Sequence, residues 1–320
     1  MKAIGFYEFG GPEVLQVVEL PDPIPGPGEV RVRVGAAAVS PTDTLRRAGI
    51  RALDGKPAPE LAEQGFPLVP GMELAGVIDL IGPNTETDLQ VGEHVVGAIF
   101  PSGTRGAYSE LVVLPVESVV RTPEGVDDIA ASTLAMNGLT AMVSLETLQL
   151  DRGQTIGVTG AAGTYGGYVV QLAKAAGLQV IADAAEKDRD LVRSLGADVV
   201  VERGDDVADR FLEIAPDGLD GLADGAVLNE KVARAVKSGG NLVTVRHFES
   251  APVNGVTFHA VRVRHNVRDT DKLDRLRRLV EEGKLSLRVA RTFPACEAAE
   301  AHRLLELGGT RGRVVLNFGD

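Results

Sequence analysis

Thr155-Ile-Gly-Val-Thr-Gly-Ala-Ala-Gly-Thr-Tyr-Gly-Gly-Tyr-Val-Val-Gln-Leu-Ala-Lys174 decides the fold. A short apolar run enters a glycine-rich turn and leaves as an amphipathic helix, which is the context in which a glycine fingerprint binds a dinucleotide. Gly163 lets the backbone approach the pyrophosphate, and Gly166 lets the helix pack close to the strand. The N–H groups at the helix start and the helix dipole attract the negative charge. A tight turn that binds nothing is the alternative, and the spacing and flanks disfavour it.

The composition predicts a soluble globular protein of the cytoplasm. At 320 residues the chain is too long for one ordinary core, so we expect two domains. No stretch approaches the roughly 18 apolar residues of a membrane span, and the start of the sequence lacks signal-peptide organisation. The net charge of -12 argues against a nucleic-acid partner and against a negative membrane surface, because both select for clustered Lys and Arg.

The pattern of elements changes along the chain. Up to about Arg121, short apolar or alternating runs are separated by proline and glycine clusters, which indicates β structure. From Thr155 to about His265, strands and helices alternate, which predicts a parallel doubly wound sheet. The predicted strands are 29–34, 94–100, 111–114, 155–159, 179–184, 198–201, 217–225, 241–245, 257–265, 285–291 and 313–318, and the helices are 164–174, 186–195, 271–282 and 298–307.

Ordered motifs along nearly the whole chain resemble the medium-chain dehydrogenase/reductase superfamily, and within it the zinc-independent quinone oxidoreductases related to zeta-crystallin. The motifs are Phe9-Gly-Gly-Pro-Glu-Val-Leu-Gln16, Ser40-Pro-Thr-Asp-Thr44, Phe66-Pro-Leu-Val-Pro-Gly-Met-Glu-Leu-Ala-Gly-Val77, Asn137-Gly-Leu-Thr-Ala141, the glycine turn, Leu195-Gly-Ala-Asp198 and Gly312-Arg-Val-Val-Leu316. The resemblance implies an α/β protein with a GroES-like β domain, 1–121 and 268–320, completed by the C-terminus. A Rossmann NADP-binding domain, 122–267, would be inserted between, with the active site in the cleft.

The residues at the family's catalytic zinc positions predict a metal-free site. By the resemblance these positions are Ser40, where zinc-dependent relatives have Cys, and Met72, where they have His. Neither side chain supplies the thiolate or imidazole that zinc favours. The chain has one cysteine, Cys296, so it cannot form a four-cysteine structural zinc site or an intramolecular disulfide, and we expect a small buried hydrophobe there. The histidines show no ligand spacing and are expected at ordinary surface or strand positions: His94, His247, His259, His265 and His302.

The end of the second predicted strand favours NADPH over NADH. NAD-specific sheets usually place Asp or Glu there to bind the ribose 2′-OH, and by family alignment this position is Ala184. Asp183 lies one residue earlier and would face the other side of the sheet. Lys187 and Arg189 follow and could pair with a 2′-phosphate, although solvated charge at a helix start is nearly as plausible for each. NADH stays the alternative.

Further cofactor contacts rest on the resemblance. Thr140 matches a position beside the nicotinamide, with helix packing as the alternative role. Tyr165 replaces a small or aliphatic residue, so it would either cover the pyrophosphate or pack outward. Arg313 matches a basic residue that meets the pyrophosphate from the other domain, with a surface arginine as the alternative. The remaining candidates are the turn residues Gly160, Ala161, Ala162, Gly163, Thr164 and Gly166, and the strand-end residues Thr244, Val245 and Arg246.

The implied reaction is hydride transfer from NADPH to a quinone. The protein must orient the acceptor, exclude water and supply a proton where one is needed. Ser40, Asp43 and Thr44 are the candidate catalytic residues, with Asp43 favoured as an acceptor for backbone groups. Relatives often have Asn at Ser40 and some have Tyr at Leu45, so an enone or enal is an alternative acceptor. A nucleotide-binding protein with little turnover is the competing class, and the intact phosphate glycines disfavour it.

The predicted strand 257–265 lies at the edge of the Rossmann sheet. An edge strand tends to pair with another chain, and relatives commonly form a dimer here, so we expect a homodimer. Arg262 and Arg264 alternate along this segment and would instead protect the edge of a monomer.

Overall fold

The computed structural model describes residues 1–50, 56–246 and 248–319, so His247 lies outside the described residues. The strands are β1 (Lys2–Gly5), β2 (Gln16–Glu19), β3 (Glu29–Val39), β4 (Glu73–Ile81), β5 (His94–Ala98), β6 (Leu111–Pro115), β7 (Val119–Arg121), β8 (Thr155–Thr159), β9 (Gln179–Ala184), β10 (Val199–Glu202), β11 (Leu219–Asp224), β12 (Val236–Thr244), β13 (Thr257–Ala260), β14 (Val289–Pro294) and β15 (Arg313–Asn317). The α-helices are α1 (Pro41–Arg47), α2 (Pro59–Ala62), α3 (Asp128–Ala131), α4 (Ala135–Leu148), α5 (Thr164–Ala175), α6 (Arg189–Ser194), α7 (Val207–Ile214), α8 (Thr270–Glu281) and α9 (Ala298–Leu307).

The chain forms two compact units, Met1–Met136 with Arg264–Asp320, and Asn137–Val263. The first boundary therefore follows Met136, whereas the sequence analysis put it after Arg121. Residues between these positions stay with the first unit because α3 packs on β3 and β4. The Met136 N–H also donates to the buried Glu73 carboxylate at 2.7 Å. We describe each unit by itself.

The first unit is a GroES-like β domain that the C-terminal segment completes. Its main sheet has the order β14-β15-β3-β4-β5-β7, and β6 pairs with β3. β15 lies antiparallel to β3, with Val314 opposite Val39, so the returning chain becomes an interior strand. The first residues of β3 alternate in burial because only one face meets the core, while Ala36 to Val39 are buried throughout.

The second unit contains the parallel Rossmann sheet that the alternation of elements predicted. Its order is β10-β9-β8-β11-β12-β13, and every pairing is parallel. The strand predicted in the Gly- and Asp-rich segment 217–225 is present as β11. The strand order reverses between β8 and β11, which is where open parallel sheets bind ligands. No helix in the described ranges is long and apolar enough to cross a membrane.

Three predicted details are wrong. The edge strand ends at Ala260, because its partner β12 ends at Thr244, opposite it, and residues 263–265 form a 3-10 turn. The strand predicted at 285–291 begins at Val289, because its partner β15 begins only at Arg313. Cys296 is exposed in a 3-10 turn before α9, where we expected a buried side chain.

Candidate active site

The glycine turn follows β8 and leads directly into α5. Gly160 has φ +65°, a left-handed conformation that suits glycine. Gly163 is the N-cap of α5. A Cβ on Gly166 would lie 2.4 Å from the Gly160 carbonyl oxygen, so glycine is required for this approach of helix and turn. The first N–H groups of the helix have no carbonyl partner within it and are suited to bind phosphate oxygens.

The Asp183 side chain is hydrogen-bonded to the backbone of this turn. Its Oδ1 accepts hydrogen bonds from the Gly160 N–H at 2.7 Å and from the Ala161 N–H at 3.4 Å. Burial raises the pKa of Asp183 to about 6, and the two N–H groups partly oppose that shift. Asp183 was expected on the face of the sheet opposite the ribose, with no partner assigned. Its partner is the turn itself.

Tyr165 does not pack outward. Its hydroxyl lies 2.8 Å from Ser144 Oγ on α4, and burial raises the pKa of the phenol above its usual value. A Cβ on Gly225 would lie 3.0 Å from the Tyr165 ring, so the ring packs against the chain that follows β11. Tyr165 therefore fills the space between the turn, α4 and the end of β11.

One basic residue near the end of β9, Arg203, was not predicted from the sequence. Ala184 is buried, and its carbonyl accepts a hydrogen bond from the Arg203 N–H at 3.0 Å. Arg203 directly follows β10, and its exposed guanidinium has no hydrogen bond or ion pair within the described ranges. Its charge lowers the pKa of Asp183. Lys187 is also exposed, whereas Arg189 lies 2.7 Å from the Glu186 carboxylate. The pairing of β9 with β10 could have pointed to Arg203.

The other predicted contacts of the second unit lie on α4 and at the end of β12. Thr140 is half-buried on α4, and its carbonyl accepts a hydrogen bond from Ser144 Oγ at 2.7 Å. Thr244 ends β12 and is buried, with its hydroxyl donating to the Phe248 carbonyl at 2.7 Å. Val245 and Arg246 follow at the same carboxyl edge, and Arg246 has φ +58°. The Thr244 hydroxyl thus fixes Phe248 at the end of β12.

In the first unit, Ser40 and Asp43 open α1. The Ser40 N–H donates to Asp43 Oδ2 at 2.8 Å, and the Gly71 N–H donates to Asp43 Oδ1 at 2.9 Å. Asp43 is fully buried, and burial raises its pKa to about 6. It accepts from backbone groups, as we expected from its position. Thr44 donates its hydroxyl to the Pro41 carbonyl at 2.9 Å, within the same helix.

Arg313 is buried and not a surface arginine. Its Nη2 donates to the buried Glu73 carboxylate and, at 3.1 Å, to Ser40 Oγ. Arg313 begins β15 and Glu73 begins β4, so the returning C-terminal strand brings the guanidinium to Ser40. A guanidinium can only donate hydrogen bonds, so the Ser40 hydroxyl accepts here and retains its own proton.

The residues at the zinc position do not fit a zinc ion. Ser40 Oγ is bonded to a cationic side chain, Met72 is buried and offers only a thioether, and neither is a usual zinc ligand. Within the described ranges, no group of three or more His, Cys, Asp and Glu side chains is arranged to hold a metal.

A buried hydrogen-bond network behind Asp43 was not found from the sequence. Tyr108 Oη lies 3.4 Å from Asp43 Oδ2 and 3.1 Å from His302 Nε2, and His302 Nδ1 lies 3.1 Å from Arg47 Nη1. His302 is fully buried on α9, so its predicted place on the surface or on a strand is wrong. Arg47 on α1 and His302 on α9 are 255 residues apart in the sequence, so no local signal joins them.

Known proteins match the chain along its whole length. Residues 26–124 match the alcohol dehydrogenase GroES-like domain, and residues 195–316 match the zinc-binding dehydrogenase family. A quinone oxidoreductase of Pseudomonas aeruginosa is 34% identical over 98% of this chain and 99% of its own. The chain belongs to the medium-chain dehydrogenase/reductase superfamily. Its place is among the quinone oxidoreductases related to zeta-crystallin, and it is an oxidoreductase.

Two further relatives bear on substrate and cofactor. An NADPH-dependent alkenal/one oxidoreductase of Arabidopsis thaliana is 28% identical over 99% of this chain and 79% of its own. The solved structure of a mycobacterial protein complexed with NADPH is 26% identical, with a TM-score of 0.84 over 99% of this chain and 100% of its own. The chain is therefore similar both to a quinone oxidoreductase and to an alkenal/one oxidoreductase.

Proposed function

We propose that the protein is an NADPH-dependent, metal-free reductase that transfers hydride to quinones. The observation that carries the proposal is the hydrogen bond from Arg313 to Ser40 Oγ at the position that zinc takes in other members of the superfamily. The Ser40 hydroxyl, whose oxygen accepts a hydrogen bond from the Arg313 guanidinium, can donate its own proton to a substrate oxygen. This arrangement suits a substrate that is already electrophilic, because such a substrate needs no metal to polarise it. The full-length similarity to a quinone oxidoreductase supports the same substrate class.

NADPH is the proposed cofactor because the strand-end position lacks a carboxylate aimed at the ribose. Ala184 occupies that position, and Asp183 is committed to Gly160 and Ala161. Arg203 and Lys187 are exposed nearby, so they are the candidates to pair with a 2′-phosphate. Arg189 contributes less in this proposal because Glu186 already pairs with it.

When bound, the nicotinamide supplies the hydride. The N–H groups of Thr164 and Tyr165 at the start of α5 would bind the pyrophosphate, and the close approach of Gly166 to Gly160 keeps that helix start in place. Ser40 would donate its hydroxyl proton in a hydrogen bond to the acceptor oxygen as negative charge develops there. Arg313 strengthens Ser40 as a donor through its cationic bond to Oγ. Asp43 fixes the backbone of Ser40, and Thr44 is held in the same turn.

An α,β-unsaturated carbonyl is the alternative acceptor. It presents the same oxygen to Ser40, and the similarity to an alkenal/one oxidoreductase favours it. The smaller Ser40, where relatives often have Asn, leaves room for either class. A binding protein with little turnover is disfavoured by the intact glycine turn.

We further propose a homodimer paired through the exposed edge of β13, and a cytoplasmic location. β13 has a strand partner on one side only, since β12 is its single neighbour in the sheet of the described residues. Gel filtration with light scattering should give twice the 33.6 kDa chain mass. A monomer mass would contradict the pairing.

The testing experiment measures initial rates with NADPH and NADH, each with a simple quinone, a bulky ortho-quinone and a 2-alkenal. We expect NADPH oxidation with the simple quinone, unchanged after treatment with a zinc chelator. The Ser40→Ala variant should lose turnover but keep NADPH affinity. Oxidation only with the alkenal would select the alternative acceptor, equal rates with both cofactors would refute the NADPH preference, and cofactor binding without oxidation would favour the binding protein.

A further inference from the structure

The buried network behind Asp43 has a fixed direction. Arg47 can only donate, so His302 Nδ1 must accept and the ring proton lies on Nε2. His302 is neutral, because burial and the adjacent Arg47 charge lower its pKa to about 3. Nε2–H therefore donates to Tyr108 Oη, and the Tyr108 hydroxyl is left to donate to Asp43. Each step determines the next, from Arg47 to the carboxylate.

Asp43 is surrounded by donors at both oxygens. Oδ2 receives the Ser40 N–H and faces Tyr108, and Oδ1 receives the Gly71 N–H. A proton on either oxygen would oppose one of these donors. The two backbone donors cannot turn away, so the Tyr108 hydroxyl is the adjustable one. His302 Nε2–H occupies the direction to which it would turn.

The remaining charged groups near Asp43 do not replace this network. Arg313 favours the carboxylate form, Glu73 opposes it, and Arg46 interacts with Asp43 through its charge. In the described residues none of these three is hydrogen-bonded to the carboxyl oxygens of Asp43. Burial raises the pKa of Asp43 to about 6, and the Ser40 and Gly71 N–H groups and the Arg313 charge oppose that shift. Because this pKa lies within reach of neutral pH, we expect the loss of one further donor to change the ionisation of Asp43 measurably.

We propose that Arg47, His302 and Tyr108 are positioning residues that keep Asp43 ionised, and that ionised Asp43 holds Ser40 and Gly71 in the arrangement that turnover requires. Loss of activity in acid then follows protonation of Asp43. The inference rests on the proposed function of Ser40. It assigns a catalytic consequence to three buried side chains, which act through Asp43.

The test compares Tyr108→Phe with Tyr7→Phe. Tyr108→Phe retains the ring that packs over Gly71 and removes the donor to Asp43. Tyr7 is a matched control, because it lies in the same unit with 53% of its surface exposed. We expect the acid limb of kcat/KM, measured as initial rates between about pH 5 and 9, to move upward by about half a pH unit in Tyr108→Phe only. His302→Leu should show the same shift, and His302→Gln, which retains a donor to Tyr108, should restore the wild-type limb.

An infrared titration of the apoprotein separates this inference from the proposed function. The carboxylic-acid band of Asp43, assigned by its loss in Asp43→Asn, should appear at higher pH in Tyr108→Phe than in wild type. Should Asp43→Asn fail to fold, isotope labelling of aspartate gives the assignment. An unmoved band, or a moved band with an unmoved acid limb, overturns the inference. A moved band in a protein that reduces no acceptor supports the network and refutes the proposed function.

Discussion

Replacing Gly166 with alanine should damage the glycine turn far more than the same change at Gly163. A Cβ on Gly166 would lie 2.4 Å from the Gly160 carbonyl oxygen and 2.8 Å from Ala161 Cα, and both are backbone atoms. A Cβ on Gly163 would meet only the Gly160 oxygen, at 3.2 Å. An ordinary contact begins at 3.4 Å, so the turn must move by about 1 Å in Gly166→Ala and by a few tenths of an ångström in Gly163→Ala.

The two variants differ in free energy of unfolding. Overpacking against backbone costs about 3 kcal/mol at the upper end, and alanine inside a helix recovers up to about 1 kcal/mol relative to glycine. Gly166→Ala should therefore lose about 2 kcal/mol. Gly163→Ala changes an N-cap, where glycine is better than alanine, so its loss should stay below about 1 kcal/mol. Both should weaken NADPH binding, Gly163→Ala by crowding the phosphates and Gly166→Ala by moving the N–H donors of α5.

Urea unfolding followed by far-UV circular dichroism measures stability in this chain, which has no tryptophan. Isothermal titration with NADPH measures affinity. A wild-type urea midpoint in Gly166→Ala, or a lower stability in Gly163→Ala than in Gly166→Ala, would refute the steric clash. A wild-type affinity for NADPH in Gly163→Ala would contradict the expectation that a phosphate approaches this residue closely.

Three further substitutions test the buried charges and the cofactor preference. Burial raises the pKa of Asp183 from 3.8 to about 6, so its contribution to stability is present below about pH 4 and is lost as the pH rises through about 6. Asp183→Asn should flatten that part of a stability curve measured by urea unfolding between about pH 4 and 8. Arg313→Met should lose about 3–5 kcal/mol in the same assay, because the buried Glu73 keeps no cationic partner. Arg203→Gln should reduce the ratio of kcat/KM for NADPH over NADH about fivefold, since an exposed charge pair contributes about 1 kcal/mol.

Each substitution has a matched comparison. Asp183→Ala should be less stable than Asp183→Asn, because it leaves the Gly160 N–H without an acceptor. Adding Glu73→Gln to Arg313→Met should recover much of the loss, and an unchanged loss would contradict the charge argument. Arg189→Gln should alter the cofactor ratio less than Arg203→Gln, and the reverse order would show that Arg189 leaves Glu186 to bind the 2′-phosphate.

The sequence predicted what depends on local pattern and on order along the chain. Alternation of strands and helices predicted the parallel sheet, and even the Gly- and Asp-rich segment formed β11, because its position between β8 and β12 fixes it. Contacts between distant segments were not predictable in this way. The end of β13 depends on where β12 ends. The hydrogen-bond partner of the Tyr165 hydroxyl, Ser144, depends on how α5 lies beside α4. His302 looked unremarkable because its partners Tyr108 and Arg47 are far from it in sequence.

Asp43 and Asp183 have the same role in the two units, but of the two only Asp43 is joined to a network of buried side chains. Each is a buried carboxylate that accepts backbone N–H groups from a functional turn, and burial raises each pKa to about 6. The charge of Arg203 lowers the pKa of Asp183. Arg203 is exposed to solvent, so its guanidinium can also bind a phosphate. The charge that lowers the pKa of Asp43 belongs to the buried Arg313, and its third hydrogen-bond donor, Tyr108, also lies in the core. Salt should therefore shift the pKa of Asp183, through the exposed Arg203, more than the pKa of Asp43, because screening reaches exposed charges and not buried hydrogen bonds. Infrared titration of both carboxyl groups at low and high salt measures the two shifts, and equal shifts would contradict this argument.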